Sequence, residues 1–178
     1  MNFFEKLMVA RQIDFKEGSI SLFTNRIVMA PATFLLEFTK AIEGSPEETH
    51  SLYESAKTSF KEIVTKDVRT YKFSVNDYIK WLFEISSFSG WGLLTLESLE
   101  IEKKSGSITM LNSPVSEGLK GKVKLPCDHI VRGFIAGALS IAFKEDIECA
   151  EMECVGSGAA RCRFIFKPAS QFNPGEVR

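Results

Sequence analysis

The stretch from Glu151 to Cys162, read Glu-Met-Glu-Cys-Val-Gly-Ser-Gly-Ala-Ala-Arg-Cys, holds the side chains best suited to chemistry in this 178-residue chain. Cys154 and Cys162 flank a glycine-containing turn between two segments that read as strands. A hairpin brings such residues close without help from the rest of a fold. Zinc takes four ligands in a tetrahedron, with sulfur at about 2.3 Å. Cys127, at the start of a predicted helix, can supply a third ligand, and Glu151 or Cys149 a fourth. The competing reading is a set of buried thiols packed as small hydrophobes. No cysteine precedes Cys127, and the first residues lack the apolar run of a signal peptide. A local cluster in that setting reads as metal or redox chemistry before it reads as a disulfide framework. Four protein ligands leave no open position for water, so a metal held this way is structural.

Other chemistry is hard to find. The two histidines are His50, in a polar helix turn, and His129, read as a surface or packing residue. No Ser-His-Asp set and no flavin, nicotinamide or iron–sulfur motif is readable, so no catalytic residue is assigned. Gly156-Ser157-Gly158 precedes an alternating strand pattern, whereas a dinucleotide loop must open a helix.

The elements that position this segment follow from periodicity. Ile13, Phe15, Ile20 and Leu22 alternate around Glu17-Gly18, predicting a hairpin that Ile27-Val28-Met29 extends. Pro31 opens a helix with Phe34, Leu35, Phe38, Ala41 and Ile42 as its apolar stripe. Ser45-Pro46-Glu47-Glu48 starts a second helix, with Leu52, Ala56, Phe60, Ile63 and Val64 facing inward. Ser74, with Asp77 three residues on, starts a third that buries Val75, Tyr78, Ile79, Leu82 and Phe83. Leu94–Ile101 and Ser107–Leu111 form a hairpin, Gly106 taking the awkward backbone angle, and the parity shift between Leu96 and Leu99 predicts a bulge. A helix from Pro126 to about Phe143 follows, in which Gly133 and Gly137 form a flat face suited to close packing on the sheet. Ile147–Cys154 and Cys162–Phe166 make the last hairpin. Paired hairpins imply an antiparallel sheet with helices packed on it, an α+β class. One domain over residues 1–167 is expected, with its opening hairpin at 13–29, its cysteine-bearing part at 126–166, and a flexible tail at 168–178.

Composition narrows the partners. Twenty-two basic against 23 acidic residues give no basic excess for nucleic acid. The longest apolar run, Phe134 to Phe143, is too short to span a bilayer, so a cytoplasmic protein is expected. Fifteen phenylalanines demand a large aromatic core, or a core that also lines a cavity. Trp81, Phe83, Phe88, Trp91 and Phe134 are its candidate lining.

Pro126-Cys127, the glycine-bearing apolar helix, Glu151-x-x-Cys154, the glycine turn and Cys162-Arg163-Phe164 together resemble the 4-vinyl reductase domain family. That family is similar to the sensor domain of phenol- and toluene-responsive transcription activators. Phe15-Lys16-Glu17-Gly18 through Arg26-Ile27-Val28 resembles the first hairpin of those sensors. The resemblance implies the nitric-oxide-signalling and Golgi-transport ligand-binding fold, usually a homodimer. It implies zinc ligands at Cys127, Glu151, Cys154 and Cys162, with Cys149 the rival of Glu151, and Arg161 and Arg163 as cationic neighbours. It also implies a pocket for a small hydrophobic ligand, to which Met110, Phe134, Trp91 and Phe88 are assigned. In the phenol sensors a tryptophan stands three residues before a serine on the strand preceding the zinc-binding cysteine. Ser113 matches that serine, but Met110 replaces the tryptophan, so a hydrophobic ligand other than phenol is expected. The activators' output modules have no counterpart in these residues, so output is expected through a separate protein or through rearrangement of the dimer. A tetrapyrrole vinyl-reductase component and a dimeric scaffold of the transport-complex kind are the alternatives.

Overall fold

The computed structural model describes residue 5 and residues 9–10, 12–23, 25–71 and 74–172, with the side chains of 67–71 and 75 left aside. Among them are seven strands and four helices. β1 (Ile13–Lys16), β2 (Ser19–Leu22) and β3 (Asn25–Ile27) form a small antiparallel sheet. Helices α1 (Ala32–Ile42), α2 (Pro46–Tyr71) and α3 (Val75–Phe88) follow. β4 (Leu93–Glu100) and β5 (Ser105–Leu111) then pair, α4 (His129–Phe143) crosses, and β6 (Ile147–Glu153) and β7 (Cys162–Pro168) close the chain. The main sheet is antiparallel throughout, in the order β4-β5-β7-β6. The class is α+β, as the hairpin pattern predicts.

Local chemistry accounts for most boundaries. Ser74 Oγ accepts the Asp77 N–H at 3.2 Å, capping α3, and Ser45 Oγ does the same for the Glu48 N–H of α2 at 3.4 Å. The predicted bulge lies between Leu96 and Ser98. Gly106 plays a different part from the one expected. The left-handed residue of that hairpin is Lys104, with φ 52°, whereas Gly106 is a packing glycine. A Cβ there would overlap the Ser98 carbonyl oxygen and lie 2.7 Å from the Phe166 ring. The last helix also starts later than Pro126 suggests: Asp128 is its N-cap and His129 its first residue. Cys127 therefore precedes the helix and is free of its geometry.

α4 is the centre of the molecule, with every residue from Val131 to Ser140 buried. One side packs on the sheet through contacts such as the stacked rings of Phe143 and Phe166, 6.4 Å apart. The flat face of Gly133 and Gly137 meets α2, not the sheet. A Cβ on Gly133 would sit 2.5 Å from the Tyr53 carbonyl oxygen and 2.6 Å from the Ala56 Cβ; one on Gly137 would overlap the Lys57 carbonyl oxygen. The two backbones touch because no side chain separates them. Gly137→Ala should gain about 1 kcal/mol of helix propensity and lose up to about 3 kcal/mol to overpacking against rigid backbone. A net loss of about 2 kcal/mol in chemical denaturation is expected. A variant as stable as the parent would show that the helices part freely.

The face of α2 that meets α4 also differs from its predicted apolar stripe. Ala56 and Val64 are buried as expected, but Tyr53 and Lys57 are buried beside them. Lys57 Nζ pairs with Glu148 and, at 3.2 Å, with Asp146; the Tyr53 hydroxyl donates to Glu148 and accepts the Cys149 N–H at 3.3 Å. The Arg132 guanidinium lies over the Tyr53 ring, 4.8 Å from its centroid. Helix α1 departs further: Phe34 is 63% and Phe38 43% exposed, and Thr39 is its buried residue. At the C-terminus, β7 runs through Pro168, which pairs with Ile147, and a 3-10 turn spans Ala169–Gln171. The tail residues 173–178 lie outside the described residues. No helix among the described residues is long and apolar enough to cross a membrane.

Candidate metal centre

Three segments converge at the N-terminus of α4. The segment before the helix brings Cys127 and Asp128. The end of β6 and the turn after it bring Glu151 and Cys154, and the first residue of β7 brings Cys162. All five are buried. The register shift between Glu151 and Glu153 marks a bulge in β6, where the strand leaves its ladder. One ligand-capable atom each from Asp128, Glu151, Cys154 and Cys162 lie within 4.8 Å of one another. Cys127 joins through its Sγ, 3.6 Å from the Cys154 Sγ. Two thiolates on one tetrahedral zinc stand about 3.8 Å apart, which that separation matches. Gly156 lets the two sulfurs approach, since a Cβ there would lie 2.8 Å from the Cys127 Sγ.

The hydrogen bonds around the cluster are directed. Asp128 N–H donates to Glu151 Oε2 at 3.0 Å, and Asp128 Oδ2 accepts from the Cys162 thiol at 3.2 Å. Ser113 Oγ donates to Asp128 Oδ1 at 2.6 Å while accepting the N–H groups of Val115 and Ser116. Val155 N–H points at the Cys162 Sγ at 3.4 Å, and Ser116 Oγ lies 3.2 Å from the same sulfur. Glu151 Oε1 is buried with no partner. A buried carboxylate oxygen without a donor is costly, and a cation is the group that would satisfy it. Three thiols and two carboxyls in one dry site favour a cation for the same reason.

The titration behaviour follows that crowding. Hydrogen bonds from Cys127 and then Cys162 pull the Cys154 thiol down to about 2. Their own thiols are pushed up, first by that shared bonding to Cys154 and then by burial. Burial, then the charge on Cys154, raises Asp128; burial, then the charges on Asp128 and Cys154, raises Glu151. Without a cation, negative charge therefore collects on Cys154 and protons on its neighbours. Burial, then the nearby Arg132, lowers His129 to about 4, so it is neutral at pH 7. His129 is a packing residue with an unpartnered Nδ1, outside the ligand group.

Other expected neighbours sit elsewhere. Arg161 and Arg163 point away and grip Glu97, at 3.0 and 2.6 Å. They occupy the solvent face of the strand, on the opposite parity from buried Cys162 and Phe164, so they do not offset the cluster's charge. Cys149 is a fully buried thiol raised by burial, placed beside Tyr53 and outside the ligand group. Asp128 is the residue missed in the sequence. An Asp after a Cys at a helix start reads as an ordinary cap, and only the fold aims it at Glu151 and Cys162.

Of the residues assigned to a ligand pocket, only Trp91 shares a cavity with the cluster. Trp91, Cys127, Asp128, Val131, Val115 and Thr39 surround a cavity of about 10 Å³, room for one water. Trp91 N–H donates to the Ser86 carbonyl, and Gly92 lies against Met110, where a Cβ would come within 3.0 Å of its Cγ. Met110 is 1% exposed in the core. Phe134 packs edge-on to Phe60 at 4.7 Å, and Phe88 is half-buried in the last turn of α3. Ser86 Oγ is buried and has no partner. It is a second polar group that sequence reading passed over, since serine near a helix end carries no signal.

An antiparallel sheet with a central buried helix and a thiol–carboxyl cluster at its N-terminus is the class defined so far. Residues 107–168 match the model of the 4-vinyl reductase domain, a stretch that runs from β5 to β7 and includes the whole cluster. The chain is similar in fold to the phenol-responsive sensory domain of the transcription activator PoxR, solved with phenol. That likeness has 22% identity, a TM-score of 0.81, and covers 95% of this chain and 90% of that one. It is also similar to a trafficking protein particle complex subunit 3 from Naegleria fowleri covalently bound to palmitic acid: 13% identity, TM-score 0.50, 82% and 92% coverage. A vinyl-4-reductase family protein from Methanocaldococcus jannaschii matches at 23% identity and TM-score 0.49, over 78% and 76%. No curated protein sequence matches. The resemblance read from the sequence holds, and so does the α+β fold it implied.

Proposed function

We propose that residues 1–167 form a cytoplasmic sensor or carrier domain for a small hydrophobic molecule, with a structural zinc held by Cys127, Glu151, Cys154 and Cys162. The observation that carries the reading is the shared cavity: Trp91 and Cys127 face the same space, so the metal-held turn forms part of the wall a ligand would touch. The likeness to a sensory domain solved with phenol supports the ligand class. Met110 offers packing but no N–H, which favours an apolar aromatic over a phenol. A cavity of about 10 Å³ must open to admit any such molecule. Helix α1 is the wall that yields: its Phe34 and Phe38 are exposed, and it meets the body through Leu35, Leu36 and Thr39. Met110, Trp91, Phe88 and Phe134 are the contacts assigned to the opened pocket.

Thermal denaturation with a panel of alkylbenzenes and phenols tests this. Ligand at about 100 times its Kd adds about 2.7 kcal/mol, which raises Tm by roughly 5–10 °C in a domain this size. Alkylbenzenes should shift Tm at least as far as phenol. No shift from any member, with no small molecule retained in native mass spectrometry, would favour the scaffold reading.

A homodimer belongs to the same proposal. Val28 and Met29, in the link between β3 and α1, and Phe34, in the first turn of α1, are 84%, 74% and 63% exposed, and large exposed apolar side chains grouped this closely in the chain are the basis for an interaction site here. Light scattering should give a dimer, and Phe34→Glu should shift it to monomer. A parent protein that is monomeric at micromolar concentration would remove this part.

A further inference from the structure

We infer that Cys127 and Cys154 are a peroxide-sensitive thiol pair, a modification site that closes into a disulfide and opens the metal centre. Their sulfurs are 3.6 Å apart, and a disulfide needs about 2.05 Å. Both residues lie outside regular elements, Cys127 before α4 and Cys154 after β6, so small backbone shifts can close the gap. Gly156 leaves no Cβ between them. The other thiols are held differently. Cys162 is anchored in the β7 ladder opposite Met110 and fixed by Ser116, Asp128 and the Val155 N–H. Cys149 sits within β6 on the Tyr53 side.

Access separates Cys127 from the rest. It is 1% exposed to bulk solvent, yet it lines the water-sized cavity beside Trp91 and Thr39. Hydrogen peroxide is scarcely larger than water, and bulky oxidants do not fit. In the first step Cys127 passes its proton to the Cys154 sulfur across their 3.6 Å contact, the Cys127 thiolate attacks one peroxide oxygen, the O–O bond breaks, and the departing hydroxide takes that proton and leaves as water, giving a sulfenic acid on Cys127. In the second the Cys154 sulfur attacks the Cys127 sulfur, the S–O bond breaks, and a second water leaves. Two thiols lose two electrons and their two protons, and peroxide is reduced to two waters. Two of the four zinc ligands are then consumed, so the ion departs; that consequence rests on the zinc reading, whereas the disulfide does not.

The full chain treated with hydrogen peroxide, alkylated and mapped by peptide mass spectrometry tests the pair. The expected product links Cys127 to Cys154, leaves Cys149 and Cys162 alkylated, and reverts with dithiothreitol, with zinc released in step. In Cys154→Ser, a sulfenic acid should accumulate at Cys127, trapped by dimedone added with denaturant after the peroxide is removed. Should that variant fail to fold, the map of the unaltered chain decides alone. A link between any other pair, over-oxidation without a link, or four unreacted thiols overturns the proposal. A link formed in protein that never held zinc would defeat the zinc reading and leave this one standing. Retained zinc with unreacted thiols does the reverse.

Discussion

Purified protein should carry about one equivalent of zinc, and Cys154→Ser should lose it together with much of the domain's stability. Cys154 is the sulfur on which the cluster centres, 3.6 Å from Cys127 and within 4.8 Å of Asp128, Glu151 and Cys162. Structural zinc contributes about 10–16 kcal/mol in isolated finger peptides. Here the β6–β7 ladder and the core already hold the hairpin, so only part of that is lost. A fall of several kcal/mol corresponds to a drop in Tm of roughly 10 °C or more for a domain of this size. Cys149→Ser should keep the metal, because that thiol lies outside the group. Asp128→Asn keeps the N–H that holds Glu151 but changes the group facing Cys162, and metal affinity should fall about 10- to 100-fold. Metal analysis with thiol titration decides the matter. Less than about half an equivalent of zinc, with all four thiols freely reactive, would remove the assignment.

Glu148→Ala should cost about 3–5 kcal/mol, the range for breaking one side of a buried ion pair. Lys57 is 5% exposed at its side chain and Glu148 14%. Removing Glu148 leaves the ammonium with half-exposed Asp146 and leaves the Tyr53 hydroxyl without its acceptor. The double variant Lys57→Met, Glu148→Leu should recover most of the loss, because an apolar pair of similar volume avoids the desolvation cost altogether. Urea denaturation of the three variants is the measurement. A single-variant loss below about 1 kcal/mol would place the pair among surface bridges. The pH dependence has a definite sign. Burial opposes charge on Lys57, but Glu148 and Asp146 outweigh it and raise the pKa above 10.5. Its contribution is whole below 10.5 and fades as pH rises through the higher folded value. Asp146 is lowered from 3.8 because Lys61 and Lys57 outweigh its own desolvation. Its contribution is whole above 3.8 and fades as pH falls through the lower folded value. The network therefore holds across neutral pH and weakens at both extremes.

Much of this protein was legible from residue order. Period-two and helical spacing placed the hairpins and the four helices, because side-chain direction repeats with the backbone. Ser45 and Ser74 marked helix starts because a capping hydroxyl acts within three residues. Cys154 and Cys162 came together because a hairpin is a local structure. What local rules could not carry was contact across the fold. Gly133 and Gly137 announced a flat surface but not its partner, and only tertiary packing chose α2 over the sheet. Lys57 falls outside the apolar stripe that helical spacing marks on α2; its acid partners lie about ninety residues away, on and before β6. Arg161 and Arg163 looked like neighbours of the cluster, but strand alternation turns them to the opposite face, onto Glu97. Asp128 reached the cluster only when α4, β6 and β7 met. Sequence order determined the elements and the thiols that could share an ion. The tertiary structure decided which buried charges are paired and which oxygen of Glu151 is left without a partner, because burial and long-range pairing are properties of the assembled fold.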